Sequence, residues 1–223
     1  MTAALARMRM SLALLTERRA ALFACVDAFF LLAGVNATFL GGSGSGRDFW
    51  IPSFLLPILV LGVPMMADAV AVERRSGTLD LALTSPGVRF YFERRVAVVA
   101  ALMIVQGWLV IFLATALTPN FPVAWPLLQV VFVVAFLTAA TLNWTLRLKG
   151  AVGVVFATYA TCLAFAPWLF SNPIHPPTEM PEGRMTLGHY IDFAQQNLVL
   201  AVAAAVFYLY AQQRLARPES IIQ

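Results

Sequence analysis

Long apolar runs separated by short polar segments dominate this chain. Six of them extend from Ala20 to Leu40, Trp50 to Val72, Val96 to Leu117, Val123 to Leu146, Ala151 to Phe170 and Phe193 to Tyr210. Crossing ~30 Å of hydrocarbon at about 1.5 Å per helical residue takes about 20 residues, and a spanning segment must satisfy its own backbone hydrogen bonds. The runs have that length and lack the period-2 alternation of outer-membrane strands. They predict an all-α integral membrane protein with six transmembrane helices. The remainder is a 19-residue N-terminal stretch (1–19), a connection at 73–95, another at 171–192, and a tail at 212–223. The spans form one domain over 20–211, with no separate soluble domain.

Charge sets the orientation. With the N-terminus in the cytoplasm, Arg7, Arg9, Arg18, Arg19, Arg74, Arg75, Arg89, Arg94, Arg95, Arg147, Lys149, Arg214 and Arg217 lie inside, and only Arg47 and Arg184 lie outside. Thirteen against two places both ends in the cytoplasm under the positive-inside rule. The net charge of +4 then follows from topology, and nucleic acid is not needed as a partner. The chain is 61% hydrophobic and 12% charged, far from the ~25% charged of soluble domains, so lipid is the predicted surroundings. Fourteen Arg against one Lys fit a GC-rich bacterial source.

Several motifs fail where their chemistry lies. Gly41 to Asp48 (GGSGSGRD) has phosphate-loop glycine spacing but lacks the Lys and the Ser/Thr that bind phosphate and magnesium, follows no strand, and lies outside. Asn36 and Asn143 head glycosylation patterns inside predicted spans. Cys25 and Cys162 lie in the first and fifth spans without CxxC spacing and serve as apolar packing residues. His175, Glu179, Glu182 and His189 fall in a proline-rich external connection and match no helical metal-ligand spacing. Ser11 to Thr16 is too short for a signal-peptide core and is followed by Glu17, Arg18 and Arg19. No catalytic constellation is visible, so no catalytic or metal residue is assigned and the chain is not expected to be an enzyme.

The connection Glu73 to Arg95 is the informative one. Thr78 can cap a short helix, Asp80 suits its positive end, and Pro86 with Gly87 stops it after Ser85. Leu79, Ala82 and Leu83 share one face, and Asp80 and Thr84 another. Two turns of helix are marginal alone in water, so this one needs a docking surface, either the lipid headgroup layer or a protein groove. Asp80 would face anionic lipid, and the apolar face is small, which favours the groove.

Glu73, Gly77, Thr78, Leu79, Asp80, Leu83, Ser85, Pro86 and Arg89 resemble the E-x3-GTLE-x2-L-x-SP-x2-R signature of ABC-2-type transporter permeases. Met8 to Arg19 is similar to the amphipathic cytoplasmic helix that precedes the first span in that family. Two departures stand out: Asp80 replaces the usual Glu, and Glu93, Arg94 and Arg95 replace a Gly-Lys before the third span. The resemblance implies the ABC-2-type permease fold in a bacterial inner membrane. It also implies a coupling helix, Thr78 to Ser85, that fits a cleft of a separate ABC ATPase. ATP and Mg would be bound by that partner, with no cofactor in this chain. A second copy, making a homodimer, or a paralogue completes the transporter. A haem-exporter B-like subunit, a permease-like subunit driving an extracytoplasmic machine of the gliding type, and a non-transporting scaffold are the alternatives.

Polar groups in spans cost roughly 2.5 to 3.5 kcal/mol for a central charge and need a reason. Asp27 and Asp68 lie in the inner half, where interfacial arginines can pair with them or where they can act in gating. Gln106 at the centre of the third run, and Thr158, Tyr159 and Thr161 in the fifth, are candidates for interhelical hydrogen bonds or for contact with cargo. Pro52, Pro57 and Pro64 punctuate the second run and make it the expected moving element.

Overall fold

The computed structural model describes residues 54–68, 88–117, 124–170 and 187–216, with Val26, Ala28, Phe29 and Leu32 as helical positions besides. The described residues hold helices and turns, and no strand. We label the helices α1 (54–68), α2 (Val88–Leu117), α3 (Ala124–Thr145), α4 (Ala151–Ala164), α5 (Ala166–Leu169) and α6 (Leu187–Leu215). Val96–Leu113 of α2, the whole of α3, and Tyr190–Leu215 of α6 are long and apolar enough to cross a membrane. The described residues are all-helical and carry three helices suited to a membrane, which makes the chain a membrane protein of helical type.

The centre of the fold is α3, which packs against α6, α2 and α4. Within its span 61% of the residues are buried, against 44% in the α2 span and 22% in that of α6. Val130, Val133, Val134 and Leu137 share one face at i, i+3, i+4 and i+7, with Phe136 at its edge, and all are fully enclosed. The surrounding helices show large apolar side chains outward, among them Leu109 and Phe112 on α2, Phe156 and Leu163 on α4, and Leu198 and Val202 on α6. In water such a surface would drive aggregation, whereas in lipid it matches the solvent.

Helices come closest where side chains are smallest. A Cβ on Gly62 would lie 2.8 Å from Met103 Sδ, bringing α1 against α2. A Cβ on Gly107 would run into the Phe54 ring and lie 2.9 Å from Val130 Cγ1, so α1, α2 and α3 meet at that glycine. Without a hydrophobic force between helices in lipid, such close packing supplies much of the association energy.

Two aromatic clusters bracket the spans. At one end Trp125 packs edge-on against Tyr190 and Phe193, with ring centroids 5.1 and 4.9 Å apart. At the other, Arg147 lies 5.7 Å from the Trp144 ring centre and 5.9 Å from that of Tyr210. Trp125 to Trp144 on α3 and Tyr190 to Tyr210 on α6 each cover about 28 to 30 Å at helical rise, the thickness of a hydrocarbon core. Aromatic rings and a basic residue at these two levels are what membrane interfaces favour.

Three boundaries differ from the sequence expectation. The third run begins at Val96, but α2 begins at Val88, so residues 88–95 of the expected 73–95 connection are helical. Arg and Glu are good helix formers, and charges end an apolar stretch without ending a helix. The same applies to α6, which extends the run Phe193 to Tyr210 at both ends and takes residues from the 171–192 connection and the 212–223 tail. The run Ala151 to Phe170 is divided: α4 stops at Ala164, Phe165 has φ −101° and ψ 14°, and α5 restarts at Ala166. Pro167 has no N–H for the carbonyl of Leu163 and its ring would clash there, so the helix breaks. Phe165 at the break packs against Phe136 and Phe207 with centroids 5.0 and 6.4 Å away. The run Val123 to Leu146 agrees with α3.

Candidate functional site

Proline determines the local geometry of α1. Its middle turn, Ile58–Gly62, is a π-helix, and the Val63 N–H closes it on the carbonyl of Ile58, five residues back. The carbonyl of Leu59 thereby loses its α-type donor, Val63. The π-type donor would be residue 64, which is proline and has none. The missing donor comes from α4: the Tyr159 hydroxyl donates to the Leu59 carbonyl at 2.7 Å, across 100 residues of sequence. Pi turns are rare and cluster at functional sites.

Thr161 turns the other way, as expected for residues two apart at about 100° per residue. Its hydroxyl donates to the Ala157 carbonyl at 2.8 Å and accepts the Trp144 indole N–H at 2.9 Å, tying α4 to α3. Thr158 is fully buried and donates to the Val154 carbonyl at 2.8 Å. Gln106 is buried on α2, and Asp68 is half-buried at the end of α1. Asp27 and the coupling residues Glu73, Gly77, Thr78, Leu79, Asp80, Leu83, Ser85 and Pro86 lie outside the described residues, as do Met8 to Arg19. Cys162 is a buried free thiol, in its expected packing role. Asn143 is also buried, and its Oδ1 accepts the Arg147 Nε at 3.2 Å, so this glycosylation pattern sits in the packed interior.

A cavity of about 500 Å³ lies between α2, α3 and α6. Its walls are Val96, Ala97, Ala100 and Ile104 on α2, Val131, Val134, Ala135, Thr138, Ala139 and Leu142 on α3, and Ala204, Ala205 and Tyr208 on α6. Ligand sites commonly have this volume and a mainly apolar lining with few polar groups. Asp68, Gln106, Tyr159 and Thr161 do not line this cavity.

Thr138 is the residue that sequence reasoning passed over. Thr141, Thr145, Thr158 and Thr161 each donate to the carbonyl four residues earlier, at 2.6 to 2.8 Å. The Thr138 hydroxyl oxygen is buried, has no hydrogen-bond partner, and belongs to the cavity wall. A signal was available only weakly, as the first of three threonines, Thr138, Thr141 and Thr145, in an apolar run.

No family model, curated protein or solved structure matches this chain. Function therefore has to be argued from the helices, the cavity and the sequence pattern before α2.

Proposed function

We propose that the chain is the membrane subunit of an ABC-2-type transporter in a bacterial inner membrane. It has six spans with both ends cytoplasmic. It works with a separate ATP-hydrolysing subunit and a second permease copy or paralogue, and it exports an apolar or amphipathic molecule. The observation that carries this reading is the run Glu73-x3-Gly77-Thr78-Leu79-Asp80-x2-Leu83-x-Ser85-Pro86-x2-Arg89, placed between two apolar helices. A short helix with an acidic N-terminal turn and a Leu79/Leu83 face needs a partner surface to become ordered. The partner would be the ATPase. The apolar cavity beside α3 supports a cargo with little polarity, because a strongly polar molecule would lose its hydration there without replacement. The half-buried Asp68, at the end of the proline-rich helix that leads into this run, is suited to act in gating, with Asp27 as a second candidate on the first span.

Leu83→Asp tests the reading. An unpaired charge buried in a protein groove costs several kcal/mol, enough to abolish docking, while a residue outside the spans leaves membrane insertion intact. The expected result is a normal membrane level of the variant with lost ATPase co-purification and lost transport-coupled ATP turnover. Wild-type values for both, in a variant that reaches the membrane, would remove the coupling role from this segment.

A further inference from the structure

We infer that the π turn of α1 is a two-register switch and that the Tyr159 hydroxyl is its latch. In the observed register Val63 donates to the Ile58 carbonyl, and Tyr159 supplies the bond that Leu59 cannot obtain from its own helix. A second register is open to the same backbone: Val63 N–H returns to Leu59, Gly62 N–H takes Ile58, and the tyrosine hydroxyl is released. The Val63 N–H is satisfied in either register, so the two differ in the Tyr159 bond, in the Val60 carbonyl that faces Pro64, and in the packing of the turn. That packing is tight on one side, where Gly62 meets Met103, and open on another, where Val60 is 46% exposed.

The consequence of switching is geometric. Converting a π turn to α removes one residue from the turn, so everything after Gly62 rotates by about 100° around the axis and moves about 1.5 Å along it relative to what precedes. Asp68 would be carried round by more than a quarter turn. Pro64 withholds the π-type donor from Leu59 in the observed register, and in the other it leaves the Val60 carbonyl without its α-type donor and crowds it, so the α register is the minor one. A side chain on a different helix thereby controls the register of α1. The switch rests on α1 and α4 alone; that it passes motion to the segment containing Thr78 to Ser85 rests on the transporter reading.

The test uses the full chain in lipid nanodiscs with Cys25 and Cys162 replaced by Ala, and spin labels on Asp68→Cys and Val152→Cys, the latter an exposed position on α4. A rotation of about 100° changes the label separation enough for two distances to be resolved. Loss of one net hydrogen bond shifts a two-state population about 2- to 10-fold, so Tyr159→Phe is expected to enlarge the minor distance by that factor. In a Pro64→Ala background, residue 64 can donate to Leu59 itself, and Tyr159→Phe is expected to have no effect. Equal shifts in both backgrounds, or none in either, would overturn the latch. If Tyr159→Phe alone does not fold, Pro64→Ala must restore it, and failure to do so also overturns the latch. No ATPase is present, so this outcome is separate from that of the Leu83→Asp experiment.

Discussion

Gly107→Ala sets two effects of known sign against each other. Within a helix, Ala is favoured over Gly by about 1 kcal/mol, because the backbone loses less freedom on folding. Against that, the new Cβ at this position would enter the Phe54 ring and approach Val130 Cγ1 to 2.9 Å. Phe54 and Val130 are both fully enclosed, so neither side chain has space to swing into. Overpacking of a tight core costs about 1 to 3 kcal/mol, which exceeds the propensity gain or equals it at its lower limit. Gly153→Ala on α4 is the matched control: its Cβ meets only Leu148 Cδ1, at 3.8 Å, so propensity acts unopposed. Thermal unfolding in nanodiscs, followed by helix circular dichroism, is the assay. A domain of this size shifts by about 2 to 4 °C per kcal/mol. Gly153→Ala should match or exceed the wild type, Gly107→Ala should fall below Gly153→Ala by several degrees, and Phe54→Leu in the Gly107→Ala background should return part of the loss. If Gly107→Ala gains stability as the control does, the three-helix junction is looser than the close approach requires.

Thr138→Val replaces a buried hydroxyl that has no partner by a methyl of similar size, so stability in the same assay should stay level or rise by up to about 1 kcal/mol. A fall of more than 1 kcal/mol would show that the hydroxyl is hydrogen-bonded in the membrane. Orientation is checked by single-cysteine labelling in a cysteine-free background: positions Ser76 and Ser220 should react only from the cytoplasmic side, and Ser43 and Thr178 only from outside. Labelling of Ser76 or Ser220 by an outside reagent that misses the other two would reverse the topology.

Of the six apolar runs, three coincide with described helices long enough to cross a membrane, and hydropathy placed helix ends poorly. The run Val123 to Leu146 coincides with α3 almost to the residue because α3 ends where its apolar stretch ends, at the turn carrying Arg147 and Lys149. Arg89, Glu93, Arg94 and Arg95 interrupt the apolar pattern yet remain helical, so α2 starts eight residues before its run. Pro167 has the opposite effect: it barely disturbs an apolar count but removes a donor, and the break at Phe165 follows. The prolines of the second run were legible as interruptions of its helical bonding, whereas the partner of its π turn, Tyr159, is one that sequence spacing cannot supply. Among the polar candidates, Tyr159, Thr158 and Thr161 are engaged in hydrogen bonds, and the cavity hydroxyl belongs to Thr138 instead. That distinction depends on rotamers and neighbours, which one sequence does not encode locally.

The paired aromatic clusters have a consequence for tilt in the bilayer. Because α3 and α6 are joined at both levels, by Trp125 with Tyr190 and Phe193 and by Arg147 between Trp144 and Tyr210, neither helix can tilt without the other. In a thinner membrane, single helices relieve mismatch by leaning individually, at fractions of a kcal/mol per Å. Here the two lean as one plate, so any relief of mismatch by tilt has to carry both helices and the side chains packed between them at the same angle.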